Sequence, residues 1–181
     1  EEYPDRFAGY VHLNPYFGMD HVRKLEKLVK EHKGIKAASC TAFEIQRPYN
    51  DKIFYPVYAK CVELDIPIIV YVGMPGPRVP GECQNPMYLD EVCWFFPELR
   101  VVMRHGGMPW EAVCINLMLK WPNLYYSTSA MVPKWIPKDI IYYANTRGKD
   151  KVLYAGYYPY IDFYTLKNGI EELPLRDPIW P

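Results

Sequence analysis

A surplus of charge of either sign is missing from this chain: 21 Lys and Arg balance 21 Asp and Glu across 181 residues, for a formal charge of zero. No basic stripe offers a nucleic-acid footprint, and no polybasic segment offers a grip on a membrane surface. No apolar run approaches the length of a bilayer span, and the start, Glu1-Glu2-Tyr3-Pro4-Asp5, does not read as a signal peptide, so none is expected. CxxC is absent. The five cysteines (Cys40, Cys61, Cys83, Cys93, Cys114) are odd in number and widely spaced, which predicts buried free thiols in a reducing compartment. No GxGxxG or Walker-type loop follows any apolar run, which argues against a nucleotide-binding open sheet. Disorder is excluded by a composition that is 50% hydrophobic. The expectation is one globular, cytoplasmic domain with no nucleic-acid or membrane partner.

Proline and tyrosine are abundant, at 18 and 17 residues. So many prolines fit poorly with a helical bundle, where each interior proline would break a helix, and well with many short connections. The tyrosines offer amphipathic surface for pockets or subunit contacts, or ordinary core edges.

Along the chain, short apolar runs alternate with helical periodicity. Strands are predicted over 7–13, 35–42, 67–73, 100–107, 124–129 and 151–155. Helices are predicted over 19–32, 54–64, 88–96, 110–120 and 137–145, the first capped by Asp20 and stopped at Gly34. The small, apolar second strand reads as covered on both faces. The 74–86 loop, rich in Gly and Pro, is longer than most βα connections, a length that often goes with function. Regular βα alternation implies parallel strands, in an open doubly wound sheet or a barrel, with the barrel favoured. A full eight-stranded barrel needs about 250 residues, so six of eight strands are expected.

Several segments jointly resemble the amidohydrolase-related family, which includes the aminocarboxymuconate-semialdehyde and resorcylate decarboxylases. They are Pro4-Asp5-Arg6-Phe7, Gly34-Ile35-Lys36, Asp65-Ile66-Pro67-Ile68-Ile69-Val70, and His105-Gly106-Gly107 with Pro109-Trp110-Glu111. Trp121-Pro122-Asn123-Leu124-Tyr125 with Ser129, and Lys151-Val152-Leu153-Tyr154-Ala155-Gly156 with Tyr158-Pro159, follow in the family's order. The resemblance implies a (β/α) TIM-type barrel, here one incomplete domain over 1–181 lacking the first two strands and the last helix. It also implies a divalent metal such as zinc, held by a His-x-His, two further His and an Asp. No His-x-His occurs in this chain. The resemblance places Tyr71 at the fifth-strand ligand position, Tyr157 at the eighth-strand Asp, and Arg104 or His105 at the sixth-strand His. Guanidinium cannot ligate such metals and neutral phenol does so poorly, so a degenerate site without a protein-held metal is expected.

Tyr71, Arg104, His105 and Tyr157 would share the C-terminal strand ends, where barrel chemistry is done. Either they form a metal-free polar pocket, with Arg104 gripping a carboxylate and His105 moving a proton, or they fill the metal's space and bond one another. His12, Asn14 and Glu44 are candidates for the same mouth; Glu44 is read as a base, a partner of Arg104 or a surface group. His21 and His32 read as solvated on a charged helix. Ser127 and Ser129 flank a strand end without a Ser-His-acid spacing or a GxSxG elbow. Glu82 and Cys83 belong to a lid or a structural loop. The function expected is a hydrolase or non-oxidative decarboxylase of a small carboxylate, aromatic or not. The alternative is a metal-free, non-catalytic barrel subunit. Either version, with open sheet edges, is expected to associate with itself or a partner, through Leu173, Leu175 and Trp180 unless these pack back on the barrel.

Overall fold

The computed structural model describes Tyr3 and residues 6–176. Pro4, Asp5 and Trp180, which entered the sequence argument, lie outside the described residues.

Among the described residues six short strands alternate with six α-helices: β1 (Gly9–His12), α1 (Gly18–Glu31), β2 (Ile35–Cys40), α2 (Tyr55–Glu63), β3 (Ile68–Tyr71), α3 (Tyr88–Phe95), β4 (Val101–Arg104), α4 (Glu111–Lys120), β5 (Leu124–Ser127), α5 (Lys138–Ala144), β6 (Val152–Leu153) and α6 (Phe163–Glu171). All six strands expected from the apolar runs are present, each shorter than its run. No range had been marked in the sequence for α6. Local chemistry sets the boundaries. Pro56 sits in the first turn of α2, where a missing N–H costs nothing. Asp162 caps α6 by accepting the Thr165 amide at 2.9 Å.

Asp20 does not cap α1. A 3-10 turn over Pro15–Phe17 runs into the helix, so the helix begins at Gly18, and Asn14 supplies the cap by accepting the Tyr16 amide at 3.0 Å. Asp20 remains in the first turn, where its charge favours the positive end of the helix.

The strands form one parallel sheet in the order β1-β2-β3-β4-β5-β6. A doubly wound sheet reverses its strand order at a switch point, and this one never does. Strict sequential order is the arrangement of a barrel wall. Among the described residues β1 and β6 pair only with β2 and β5, so the wall stays open.

The pleat divides the sheet into two faces. Ala38, Cys40, Ile68, Val70, Val101, Met103, Leu124 and Tyr126 are almost wholly buried and pack with Leu25, Val57, Cys61, Leu89, Val92 and Cys114 of the helices. Each Val, Leu, Ile or Met among them, fully buried, contributes about 1.5–3 kcal/mol. The opposite face carries Ser39, Ile69, Tyr71, Val102 and Arg104; on β3 and β4 its residues are only half buried. Strand β2 is buried from Ala37 to Cys40 on both faces, as its small residues predict.

All five cysteines are free and buried. Tyr49, Tyr58 and Tyr126 belong to the fully buried core, and most other tyrosines lie at its edge or outside it. Among the described residues no helix is long and apolar enough to cross a membrane.

Candidate active site at the strand mouth

The register sets Tyr71 on β3 beside Arg104 on β4, at the C-terminal ends of both strands. Each is held by its neighbours. The buried Tyr49 hydroxyl accepts the Ala42 amide at 3.2 Å and donates to the Tyr71 carbonyl at 2.7 Å, tying the exits of β2 and β3 together. The Tyr71 hydroxyl turns outward, accepting the Gly76 amide at 3.3 Å and facing the Met74 carbonyl at 3.4 Å. Gln84, fully buried, donates to the Gly73 carbonyl at 2.7 Å. The long loop after β3 is therefore fastened along its length. A side chain at Gly73, whose φ is +96°, would come within 2.9 Å of the Gly107 backbone, so the β3 and β4 loops pack closely only through glycine.

Arg104 reaches across the half-buried face. Its guanidinium lies 3.3 Å from the Thr41 hydroxyl and 3.4 Å from the Tyr10 hydroxyl, contacts to the β2 exit and β1. Its Nε is buried and has no hydrogen-bond partner among the described residues. Among the described residues Arg104 makes no ion pair. Glu44, a candidate partner from the sequence, instead bonds His12 at 2.9 Å. A guanidinium left without an anion in a half-buried setting is costly unless a ligand supplies one.

At His105 the chain leaves β4 in a left-handed conformation, φ +70°, rare for a residue with a side chain. Gly106 and Gly107 continue at +84° and +70°. The strain of a single such residue is on the order of 1–2 kcal/mol. The β5 exit offsets it: Tyr126 donates to the Gly106 carbonyl at 2.6 Å, and the Ser129 Oγ accepts the His105 amide at 3.2 Å. The same Oγ lies 3.0 Å from the ring Nδ1. The ring is met edge-on by Tyr71 at 4.6 Å and Tyr157 at 5.2 Å, and Tyr157 stacks on Tyr160 at 5.2 Å. Burial, then the nearby Arg104 charge, pull the His105 pKa down to about 4, so the imidazole is neutral at neutral pH. Burial raises the Tyr71 pKa, keeping that phenol neutral as well.

The structure thus gathers Tyr71, Arg104, His105 and Tyr157, and adds Tyr10, Thr41 and Ser129. No motif in the sequence marks Tyr10 or Thr41, and Ser129 lacks the spacing of a catalytic serine. His12 and Glu44 pair with each other. Asn14 caps the 3-10 turn. His21 is not simply solvated: its ring stacks on Phe17 at 4.5 Å and its Nδ1 accepts the Asn14 amide at 3.1 Å. His32 is exposed at the end of α1. Ser127 is buried on β5. Glu82 accepts from the Tyr88 hydroxyl at 3.2 Å and belongs to a short 3-10 segment with the buried Cys83. Leu173 packs back against the core. Among the described residues no group of three or more His, Cys, Asp or Glu side chains is placed to hold a metal ion.

A parallel barrel wall with polar side chains at its strand exits defines a TIM-barrel scaffold of the α/β class. The amidohydrolase family model matches residues 1–177, and the chain belongs to that family. Its structure is similar to an uncharacterized TIM-barrel protein from Bordetella bronchiseptica, at 27% identity and a TM-score of 0.83, over 98% of this chain and 63% of that one. It is also similar to 5-carboxyvanillate decarboxylase from Sphingomonas paucimobilis (18% identity, TM-score 0.72, 97% of this chain, 63% of that one). A third likeness is to 2,6-dihydroxybenzoate decarboxylase from Rhizobium (15% identity, TM-score 0.73, 98% of this chain, 68% of that one). The chain therefore spans less than two thirds of the length of the first two. No curated protein matches it.

Proposed function

We propose that this chain is the incomplete barrel domain of a cytoplasmic amidohydrolase-family hydrolase or non-oxidative decarboxylase that takes a small aromatic carboxylate at the strand mouth. The observation that carries the proposal is Arg104: a guanidinium with a buried, unpartnered Nε and no counter-ion, at the strand exits and beside a neutral imidazole. A carboxylate is the anion whose two oxygens suit such a fork. Tyr71 and Tyr157, edge-on to His105, offer an aromatic slot around it. The similarity to two decarboxylases of aromatic acids agrees with that class. His105 then serves as hydrogen-bond donor or proton carrier at the bound ring.

The side chains present do not fit the divalent metal that the family resemblance implies. At the mouth stand a guanidinium, phenols and one imidazole already engaged through Nδ1. A fixed positive charge there opposes a cation and favours an anion. We assign the mouth as a degenerate metal site in which Arg104 carries the positive charge.

The test is calorimetric titration with a panel of hydroxybenzoates, alongside a spectrophotometric turnover assay. Replacing Arg104 with Ala is expected to weaken binding roughly 10- to 100-fold, the worth of a charge-assisted bond. His105→Ala should abolish turnover and weaken binding as well, by less than the loss of the Arg104 charge. If both variants bind and turn over as the parent does, the assignment is wrong.

A second reading, a non-catalytic subunit in an oligomer, draws support from the open edges of β1 and β6 and the exposed aromatic rings near β6, Tyr158 and Tyr160 among them. Binding without turnover of any carboxylate would favour it.

A further inference from the structure

The mouth contains a pairing that neither the family resemblance nor the sequence motifs assign: Ser129 grips His105 twice. Its Oγ accepts the His105 backbone amide at 3.2 Å and lies 3.0 Å from the ring Nδ1. We propose that Ser129 is a positioning residue that fixes His105 as the neutral tautomer with its proton on Nε2, directed away from Ser129 as a hydrogen-bond donor.

Donor and acceptor accounting carries the assignment. Ser129 is 8% exposed, and His105 is the one partner of its hydroxyl among the described residues. A buried hydroxyl has one proton to give and two lone pairs with which to accept. One lone pair is used by the His105 amide. If the ring placed its proton on Nδ1, it would donate to the same oxygen, and the hydroxyl proton would be left buried with no acceptor. Such orphaned donors are rare because they are costly. If the hydroxyl instead donates to Nδ1, every group between the two residues is satisfied. The ring proton then sits on Nε2, on the far side of the ring.

The backbone makes the grip necessary. At φ +70° His105 holds a left-handed conformation that few residues other than glycine adopt, with two left-handed glycines after it and no helix or strand ladder to steady it. Ser129, on the β5 exit, bonds both the main chain and the ring of that strained residue, so turn and tautomer are fixed together. The ring edges of Tyr71 and Tyr157 limit its rotation. Burial and the Arg104 charge, which lower the His105 pKa, keep the ring in the neutral state in which a single tautomer is defined.

For turnover the inference rests on the proposed function: a neutral Nε2–H donor next to the Arg104 guanidinium places two donors at one anionic substrate. For the tautomer it does not. The chain has four histidines, so a long-range 1H–15N correlation spectrum of imidazole-labelled protein is tractable, with His105→Gln identifying the signal by its loss. The expected result at pH 7 is a single Nε2–H tautomer at His105. Ser129→Ala should give an averaged, mixed-tautomer signal, and Ser129→Thr, which keeps the hydroxyl, should restore the single one. An Nδ1–H tautomer in the parent protein overturns the assignment whatever the variants do, and so does an Ala variant with an unchanged signal. The correct tautomer in a protein that turns over no carboxylate leaves Ser129's role standing and removes the enzymatic reading. Turnover with an Nδ1–H ring does the reverse.

Discussion

His105 is neutral because it is partly buried next to a cation, and that ties its protonation to stability. In the unfolded chain an imidazole takes up a proton near its ordinary value of 6.5, whereas in the folded chain His105 does so at about 4. A depressed folded-state value stabilises fully above the unfolded value, and the contribution is lost as pH falls from about 6.5 to about 4. His21, also held below its ordinary value by burial and by Lys24, adds to the same slope. For His105, discounting the partial exposure of the site, the loss is about 1–2 kcal/mol. Urea unfolding of the parent and of His105→Gln at pH 7 and pH 4.5 measures it. The parent should lose more stability between the two pH values than the variant, and equal losses would show that His105 is not linked to folding.

Between elements, the mouth depends on bonds from loop to strand end. Tyr49 lies in the β2–α2 connection, yet its buried hydroxyl joins the Ala42 amide to the Tyr71 carbonyl. Tyr49→Phe should cost about 1–3 kcal/mol, because it leaves a buried amide without its acceptor while keeping the ring's packing. Thermal melts test the cost, and carboxylate titration of the same variant reports whether the β3 exit has shifted. A variant as stable as the parent would mean that water replaces the hydroxyl. The Tyr58 hydroxyl, which donates to the Tyr49 carbonyl at 2.9 Å, extends the chain of bonds into α2. The aromatic layer of Tyr55, Tyr58, Phe95 and Phe96 packs behind it, with ring centres 5.2–6.2 Å apart.

At the scale of the whole sheet, the described residues form a barrel wall with an edge at β1 and another at β6. Strand β1 presents an edge at Gly9–His12 and β6 one at Val152–Leu153, with Tyr10, Leu153 and Tyr154 well exposed beside them. Unpaired edges of this kind invite pairing. At micromolar concentration the chain is expected to self-associate, and light scattering coupled to gel filtration should give a mass above 21.3 kDa. Replacing Tyr10 with Lys, which places charge at the β1 edge, should move the population toward the monomer. A parent chain that elutes as a monomer would remove the argument from open edges.

The alternation of apolar runs and helical periodicity determined the class, the number of strands and the parallel order. Those depend on which face of each element is apolar, a property carried by neighbouring residues such as Ile68 to Val72 or Val22 and Leu25. Local chemistry misled at an end such as Asp20, where the upstream Asn14-Pro15 turn captured the start of the helix, and it left α6 unmarked. The motif His105-Gly106-Gly107 correctly marked a strand exit at the mouth. The partners in the site were decided by tertiary structure alone. Arg104 meets Tyr10 across 94 residues and Thr41 across 63, and Ser129 meets His105 across 24. Such pairings follow from strand register and from the curl of the sheet, which bring together side chains whose spacing in the chain carries no period. Glu44 shows the same rule from the other side: its charge suited Arg104, but the fold places it 2.9 Å from His12.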